Sequence, residues 1–182
     1  MIKQLSLTEL EAGMTNVLQS PPDGGTVQMI VARPAVEERV LLEAGEFTLA
    51  DGLVGDTWLS RGSGYTEDGQ ADPDAQVTLM NGRYLDLIAN GDQERMALAG
   101  DQLIVDLDLS VENLPIGQQL RIGEVLFAVT PLPHTGCVKF KERFGLETSR
   151  FTGKNKELRL RGIYVKVVEP GTIRPGDTIR KV

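Results

Sequence analysis

The sequence predicts a mainly β protein of α+β type: a closed β-barrel with a few short helices at its rim. Three observations carry that expectation. Twenty glycines and nine prolines are scattered between short runs rich in β-branched residues, a composition of many tight turns. Residues 103–110 alternate cleanly, with Leu103, Val105, Leu107 and Leu109 on one side and Ile104, Asp106, Asp108 and Ser110 on the other. No repeat or linker divides the 182 residues, so many short strands must share one core in a single domain spanning 1–182.

Taken in chain order, strands are expected at 27–33, 38–42, 47–49, 103–109, 120–122, 125–130, 159–168 and 178–181. The 103–109 strand should line a core with one face only. In the run from Leu158, apolar residues alternate with Arg159 and Arg161 before the chain turns almost wholly apolar at Ile163, so the two arginines should project together from one face. As an exposed pair they should be replaceable without loss of the fold. Helical signals are few. Asn81 can cap a helix running to about Ala89, in which Tyr84, Leu85 and Ile88 share a face and Gly91 supplies the stop. A second short helix should follow Cys137, with Val138, Phe140 and Phe144 opposite Lys139, Lys141, Glu142 and Arg143, and with Gly145 at its end. Residues 61–74 form a polar, glycine-rich stretch with four acids, expected to be a mobile loop.

Charge is divided along the chain. The net charge of −7 resolves into 20 acids against 6 bases in residues 1–120, and 6 acids against 13 bases in residues 121–182. An acidic chain is a poor candidate for nucleic acid, whereas a local basic face can still hold a small phosphate-bearing ligand. One cysteine excludes an internal disulfide and a multi-thiolate zinc site. Glu9 and Glu11 interrupt the N-terminal segment, which lacks a secretory h-region, and no run is long enough to span a membrane. A cytoplasmic protein is the expectation.

The sole histidine, His134, and the sole cysteine, Cys137, lie three residues apart in the basic part. A thiolate at a helix start, beside Gly136, Lys139 and Lys141, has surroundings that activate it as a nucleophile, a sulfur carrier or a ligand for a soft metal. A small buried hydrophobe is the competing role for a lone cysteine, and composition and spacing leave both open. His134 is a candidate general base or proton donor in a Cys-His pair, with a polar rim residue as the plainer alternative. There is no Gly-x-Ser-x-Gly elbow, and Asp106 and Asp108 have no histidines to complete a metal site. Lys139, Lys141, Arg143, Arg159 and Arg161, with Lys154 and Lys166, form the candidate anion-binding set, arginine forks being suited to phosphate. Gly52-Leu53-Val54-Gly55-Asp56 and Gly100-Asp101 are turn signals, matching neither a dinucleotide fingerprint nor a P-loop.

Several segments in order resemble a known family: Gly52-Leu53-Val54-Gly55-Asp56, Gln76-Val77-Thr78-Leu79-Met80, Gly100-Asp101-Gln102-Leu103, Asn113-Leu114-Pro115-Ile116-Gly117 and Leu120-Arg121-Ile122-Gly123. With Cys137 in the loop after Val129-Thr130, the set is similar, over about residues 25–182, to MOSC domains, named for the C-terminal part of molybdenum cofactor sulfurases. The resemblance implies a strand-rich closed barrel with Cys137 as the functional residue. In sulfurases that cysteine is linked to sulfur delivery, and in related reductases it ligates molybdenum. It also implies molybdopterin as the cofactor, whose phosphate would give the basic third a purpose. The enzymatic form would be a molybdenum-dependent reductase of N-hydroxylated compounds fed by an external redox partner, since no flavin, haem or iron–sulfur motif is present. No pyridoxal-phosphate domain is expected within this chain, so sulfur on Cys137 would come from a separate cysteine desulfurase. Two departures stand out: Arg61-Gly62-Ser63 replaces a His-Gly pair common in relatives, and Thr135-Gly136 precedes the cysteine where proline is usual. A class apart from these is a non-catalytic ligand- or partner-binding barrel with an inert Cys137.

Overall fold

Short strands separated by glycine turns close on themselves here because each can bury one face only by curling around a common interior. The computed structural model describes residues 4–64 and 66–182. In chain order the elements are α1 (Leu7–Val17), β1 (Gly25–Ala32), β2 (Val40–Leu41), β3 (Gly45–Thr48), β4 (Gly52–Leu53), α2 (Trp58–Arg61), β5 (Val77–Asn81), α3 (Gly82–Ala89) and α4 (Gln93–Ala97). There follow β6 (Leu103–Asp106), β7 (Gln119–Ile122), β8 (Val125–Val129), α5 (Val138–Phe144), α6 (Leu146–Lys154), β9 (Ile163–Glu169), β10 (Gly171–Ile173) and β11 (Thr178–Lys181).

Seven strands make the barrel, in the order β1-β11-β7-β8-β9-β5-β6 and back to β1. All neighbours are antiparallel except β5 and β6, which run parallel with Leu79 opposite Leu103. A parallel pair needs a crossover, and α3 and α4 supply it. A small sheet, β10-β3-β4, stands beside the barrel and contributes Phe47, Leu53 and Ile173 to its interior. The Phe47 ring meets Phe127 edge-on, 5.5 Å between centroids.

A second apolar layer lies outside the barrel, where Met29, Val31, Met80 and Ile104 pack against Leu10, Tyr84, Leu85, Phe140, Phe144 and Phe151 of the helices. This corrects the one-faced expectation for 103–109. Leu103, Val105, Leu107 and Leu109 do face the barrel interior, but Ile104 on the opposite side is fully buried under helices. The same two-sided burial explains why 77–81, buried at every residue, shows no alternation. Helices also exceed the expected few: α1 has a Ser6–Glu9 capping box and buries Leu10, Met14 and Val17, and α4 and α6 add to the outer layer.

The two expected helices form as α3 and α5. The buried Asn81 side chain accepts from Tyr84 N at 2.9 Å and donates to Ser20 Oγ at 2.7 Å and Leu107 O at 2.8 Å. One side chain thereby caps α3 and ties it to the barrel edge. Asn81→Ala should therefore cost about 2–3 kcal/mol, the loss of a cap plus stranded buried partners, read as a lower urea midpoint at unchanged slope.

The expected strand at 159–168 begins only at Ile163. Residues Lys156–Leu158 form a 3-10 turn, Arg159 adopts a left-handed conformation (φ 47°), and Gly162 another (φ 101°). The left-handed turns break the period of two, so Arg159 and Arg161 do not share a face.

Candidate functional site

Leu132, Pro133, Thr135, Gly136 and Cys137 of the loop before α5, with Val138 at its start, line a cleft of about 840 Å³. Trp58 and Arg61 of α2 line it too, with Gly62, Ser63 and Gly64. Asp72, Ala75 and Tyr164 complete the lining. Part of the stretch expected to be a mobile loop is thus cleft wall, held by Thr66 Oγ1 donating to Gln70 O at 2.7 Å. Tyr65, within the same stretch, lies outside the described residues, as do residues 1–3 of the N-terminal segment.

Cys137 is exposed in this cleft as the residue preceding α5, with extended backbone (φ −103°, ψ 174°) and a thiol that makes no capping hydrogen bond. Its position is fixed from below. Phe140 and Phe144 anchor α5 in the outer apolar layer, and the Arg161 guanidinium lies 4.9 Å from the Phe140 ring. Arg161 also donates to Asp101 Oδ2 at 2.6 Å and to Ala99 O at 3.1 Å. Asp101 is fully buried, and burial pushes its carboxyl upward against the pull of Arg161.

His134 is not a rim residue. Its side chain is only 7% exposed, its ring lies 4.4 Å from that of Tyr164 at a tilt of 42°, and Nδ1 lies 3.6 Å from Asp101 Oδ1. No hydrogen bond joins it to Cys137 among the described residues. Burial, together with nearby Arg161 and Arg33, holds the imidazole well below its usual range, so it is neutral. Burial also raises the Tyr164 phenol, which stays a neutral hydrogen-bond donor at the cleft.

The charges behind the cleft pair off with one left over. Arg33 binds Asp56 through Nε at 2.8 Å and Nη2 at 2.7 Å, and Asp56 Oδ1 also accepts Trp58 N at 2.9 Å, which sets the start of α2. Arg161 is matched by Asp101. Arg61 is exposed at the cleft, its guanidinium held below its usual range by partial desolvation and by Arg33, and no side-chain ion pair or hydrogen bond among the described residues engages it. Asp56 attracts it only at longer range.

The five candidate anion-binding residues lie elsewhere, and none lines the cleft. Lys139 and Arg143 are both tied to Glu37, and Arg143 also donates to Leu98 O at 2.7 Å. Lys141 is exposed on α5. Arg159 donates to Leu114 O at 2.6 Å, and Arg161 is buried beneath α5. Reasoning from sequence missed Arg61, Trp58, Asp56, Asp101 and Tyr164. The available signal was the pair of Gly-Asp turns at 55–56 and 100–101, each placing an aspartate where a distant arginine could reach it. A second cleft, about 520 Å³ between α1, residues 108–112 and residues 157–160, shares no lining residue with the first.

Among the described residues, no group of three or more histidines, cysteines and carboxylates could hold a metal, and no helix is long and apolar enough to cross a membrane. The fold and site together define a class: a mixed β-barrel domain presenting one exposed thiol in an aromatic-walled cleft. The sequence model of the MOSC domain matches residues 66–180, and the chain belongs to the MOSC domain family. The matched span begins downstream of β1, β3 and β4, although these strands build the barrel and the sheet beside it.

Solved structures share the fold at low identity. YuaD of Bacillus subtilis superposes with a TM-score of 0.61 at 15% identity, covering 85% of this chain and 93% of its own. YiiM of Escherichia coli gives 0.56 at 19%, covering 86% and 69%, and a hypothetical protein gives 0.59 at 20%, covering 87% and 67%. No curated protein sequence matches the chain.

Proposed function

We propose that the Cys137 cleft binds the molybdenum cofactor, with the Cys137 thiolate as the protein's own sulfur ligand to the metal or as the carrier of a sulfur delivered to it. The observation that carries this is a free, exposed thiol in a cofactor-sized cleft in which Arg61 is the one cation among the described lining residues. The donor set fits the group. A soft thiolate suits molybdenum, Arg61 suits the phosphate of molybdopterin, and the partly exposed Tyr164 lines the cleft that a pterin would enter. When bound, the molybdenum centre supplies atom-transfer and two-electron redox chemistry.

The chain's own residues bind and orient. Arg61 would pair with the phosphate, the Arg33–Asp56 pair fixes the start of α2 and with it the place of Arg61, and Cys137 would present its sulfur from the head of α5. In sulfur carriage, the Cys137 thiolate takes the terminal sulfur of a donor cysteine persulfide, and the donor leaves as its thiolate. As a reductase acting on N-hydroxylated compounds, the same site would need electrons from a redox partner. The donor in the first case is a cysteine desulfurase, and both settings suit a reducing cytoplasm.

Expression in a host that makes the cofactor, followed by metal analysis and intact mass, tests this. About one molybdenum per chain is expected, with Cys137→Ser near zero and Arg61→Gln retaining several-fold less cofactor. The Arg61 change should leave thermal stability within about 1 kcal/mol. A persulfide on Cys137 without metal selects carriage; neither metal nor persulfide on the native chain overturns the proposal.

A further inference from the structure

Four arginines converge on the turn that follows α4. Arg33 donates to Gly100 O at 2.9 Å, Arg143 to Leu98 O at 2.7 Å and Arg161 to Ala99 O at 3.1 Å, so carbonyls left free beyond the helix end are taken by guanidinium groups. Arg39 lies against the same turn, where a Cβ on Gly100 would sit 3.6 Å from its Nη2. The first three are each paired with a carboxylate, Asp56, Glu37 and Asp101. Arg39 has none among the described residues: its one hydrogen bond runs from Nη1 to the carbonyl of its neighbour Glu38, and its Nε is buried without a partner. Native proteins rarely leave a buried donor so, unless a ligand or water meets it.

The neighbourhood is short of negative charge. Glu37, two residues before Arg39, is shared between Lys139 and Arg143, and Glu38 makes no ion pair among the described residues. Four cations, Arg33, Arg39, Lys139 and Arg143, thus meet two paired carboxylates, Asp56 and Glu37, an excess of two positive charges in a chain of net charge −7. Burial, then repulsion by Arg143 and Arg33, holds the Arg39 guanidinium below its usual range. Glu37 itself keeps its place against a backbone preference: its φ of 64° is left-handed, uncommon for a residue with a long side chain, and the side chain is 56% exposed. It is a tethered carboxylate within reach of solvent, and an anion of higher charge can replace it.

We propose that Arg39, Arg143 and Lys139 form a second anion site, for a phosphate group, which Glu37 occupies until the ligand displaces it. Phosphate matches the site in charge, a dianion against an excess of two, and in donors, since two guanidinium forks and an ammonium suit a tetrahedral oxyanion. On binding, the Glu37 carboxylate turns to solvent and its backbone is free to relax. Lys139 and Arg143 belong to the basic set that the sequence singles out, and the β1–β2 connection brings them the arginine that lacks a counter-ion. None of the three lines the Cys137 cleft, so the site stands whatever that cleft binds.

Nitrogen-15 NMR of the full chain, titrated with inorganic phosphate at an ionic strength held constant with chloride, tests this. Saturable shifts are expected at the amides of residues 37–39 and 139–143. Arg39→Gln should weaken the binding several-fold, and Glu37→Gly, which removes the competing carboxylate and suits the left-handed backbone, should tighten it several-fold. Arg61→Gln, which removes the cation of the Cys137 cleft, should leave these shifts in place, so failure of the cleft proposal and failure of this one are read separately. A second titration with glycerol phosphate identifies the source: tighter binding than inorganic phosphate assigns the site to a phosphorylated ligand, and equal binding assigns it to free phosphate. Shifts that chloride alone reproduces, that persist in Arg39→Gln, that are no tighter in Glu37→Gly, or that vanish in Arg61→Gln overturn the proposal, as does the absence of saturable shifts in both the native chain and Glu37→Gly.

Discussion

Replacing Arg161 by Met is expected to destabilise the protein by roughly 3–5 kcal/mol, because it strands the fully buried Asp101 without its counter-ion. For a chain of this size, that is a fall of roughly 6 to 20 °C in the unfolding midpoint. Two further losses add to it: the guanidinium no longer reaches Ala99 O, and Phe140 loses the cation against its ring. The partner test is the pair Asp101→Leu with Arg161→Met. Removing both charges should recover most of the loss, since an apolar replacement of a buried pair leaves no orphaned ion. A single variant as stable as the native protein would mean that Asp101 is not charged in the fold. The expectation that Arg159 and Arg161 are an exposed pair, replaceable without harm, is therefore corrected for Arg161.

Gly162→Ala should be comparably severe. At φ 101° an L side chain is strained, and the added Cβ would sit 2.2 Å from Leu79 O on the neighbouring strand. Relief requires β9 to move away from β5, and with it Tyr164 and the Arg161 anchor. A cost of about 3 kcal/mol or more follows from combining strain with overpacking. Thermal unfolding reads the stability, and the alkylation rate of Cys137 reads the displaced cleft. Native-like values of both would show that β9 can shift without consequence.

These two expectations separate what was legible from what was not. The α5 helix was legible because its signals are local: Phe140 and Phe144 at a spacing of four, Gly145 at the end, Cys137 at the head. The α3 cap at Asn81 was legible for the same reason. The β5 strand was not, because both of its faces are buried and periodicity carries no information there. The placement of Arg159 and Arg161 failed because alternation was extrapolated through Gly162, whose left-handed backbone resets it. Val138, assigned to the apolar side of α5, is instead among the exposed large hydrophobics.

The candidate site was half legible. Cys137 and the loop around it follow from sequence, and so does the family, because ordered turn motifs survive as short local patterns. Arg61 was noted only as a departure from a family pattern inside an expected loop, and His134 was left between an acid–base role and a rim position.

By itself the sequence determined a β-barrel of the MOSC family with one thiol at the head of a short helix, since turn residues, caps and alternation act over a few neighbours. Only the tertiary structure decided which charges meet. Arg161 and Asp101 are 60 residues apart, and Arg33 and Asp56 are 23 apart, each pair joined by barrel closure rather than by local preference. That closure pairs Arg33 with Asp56 and Arg161 with Asp101, leaves the Arg61 side chain without an ion pair among the described residues, and turns the one histidine inward against Asp101. Electrostatic pairing depends on distance in space, and no local pattern in the chain encodes it.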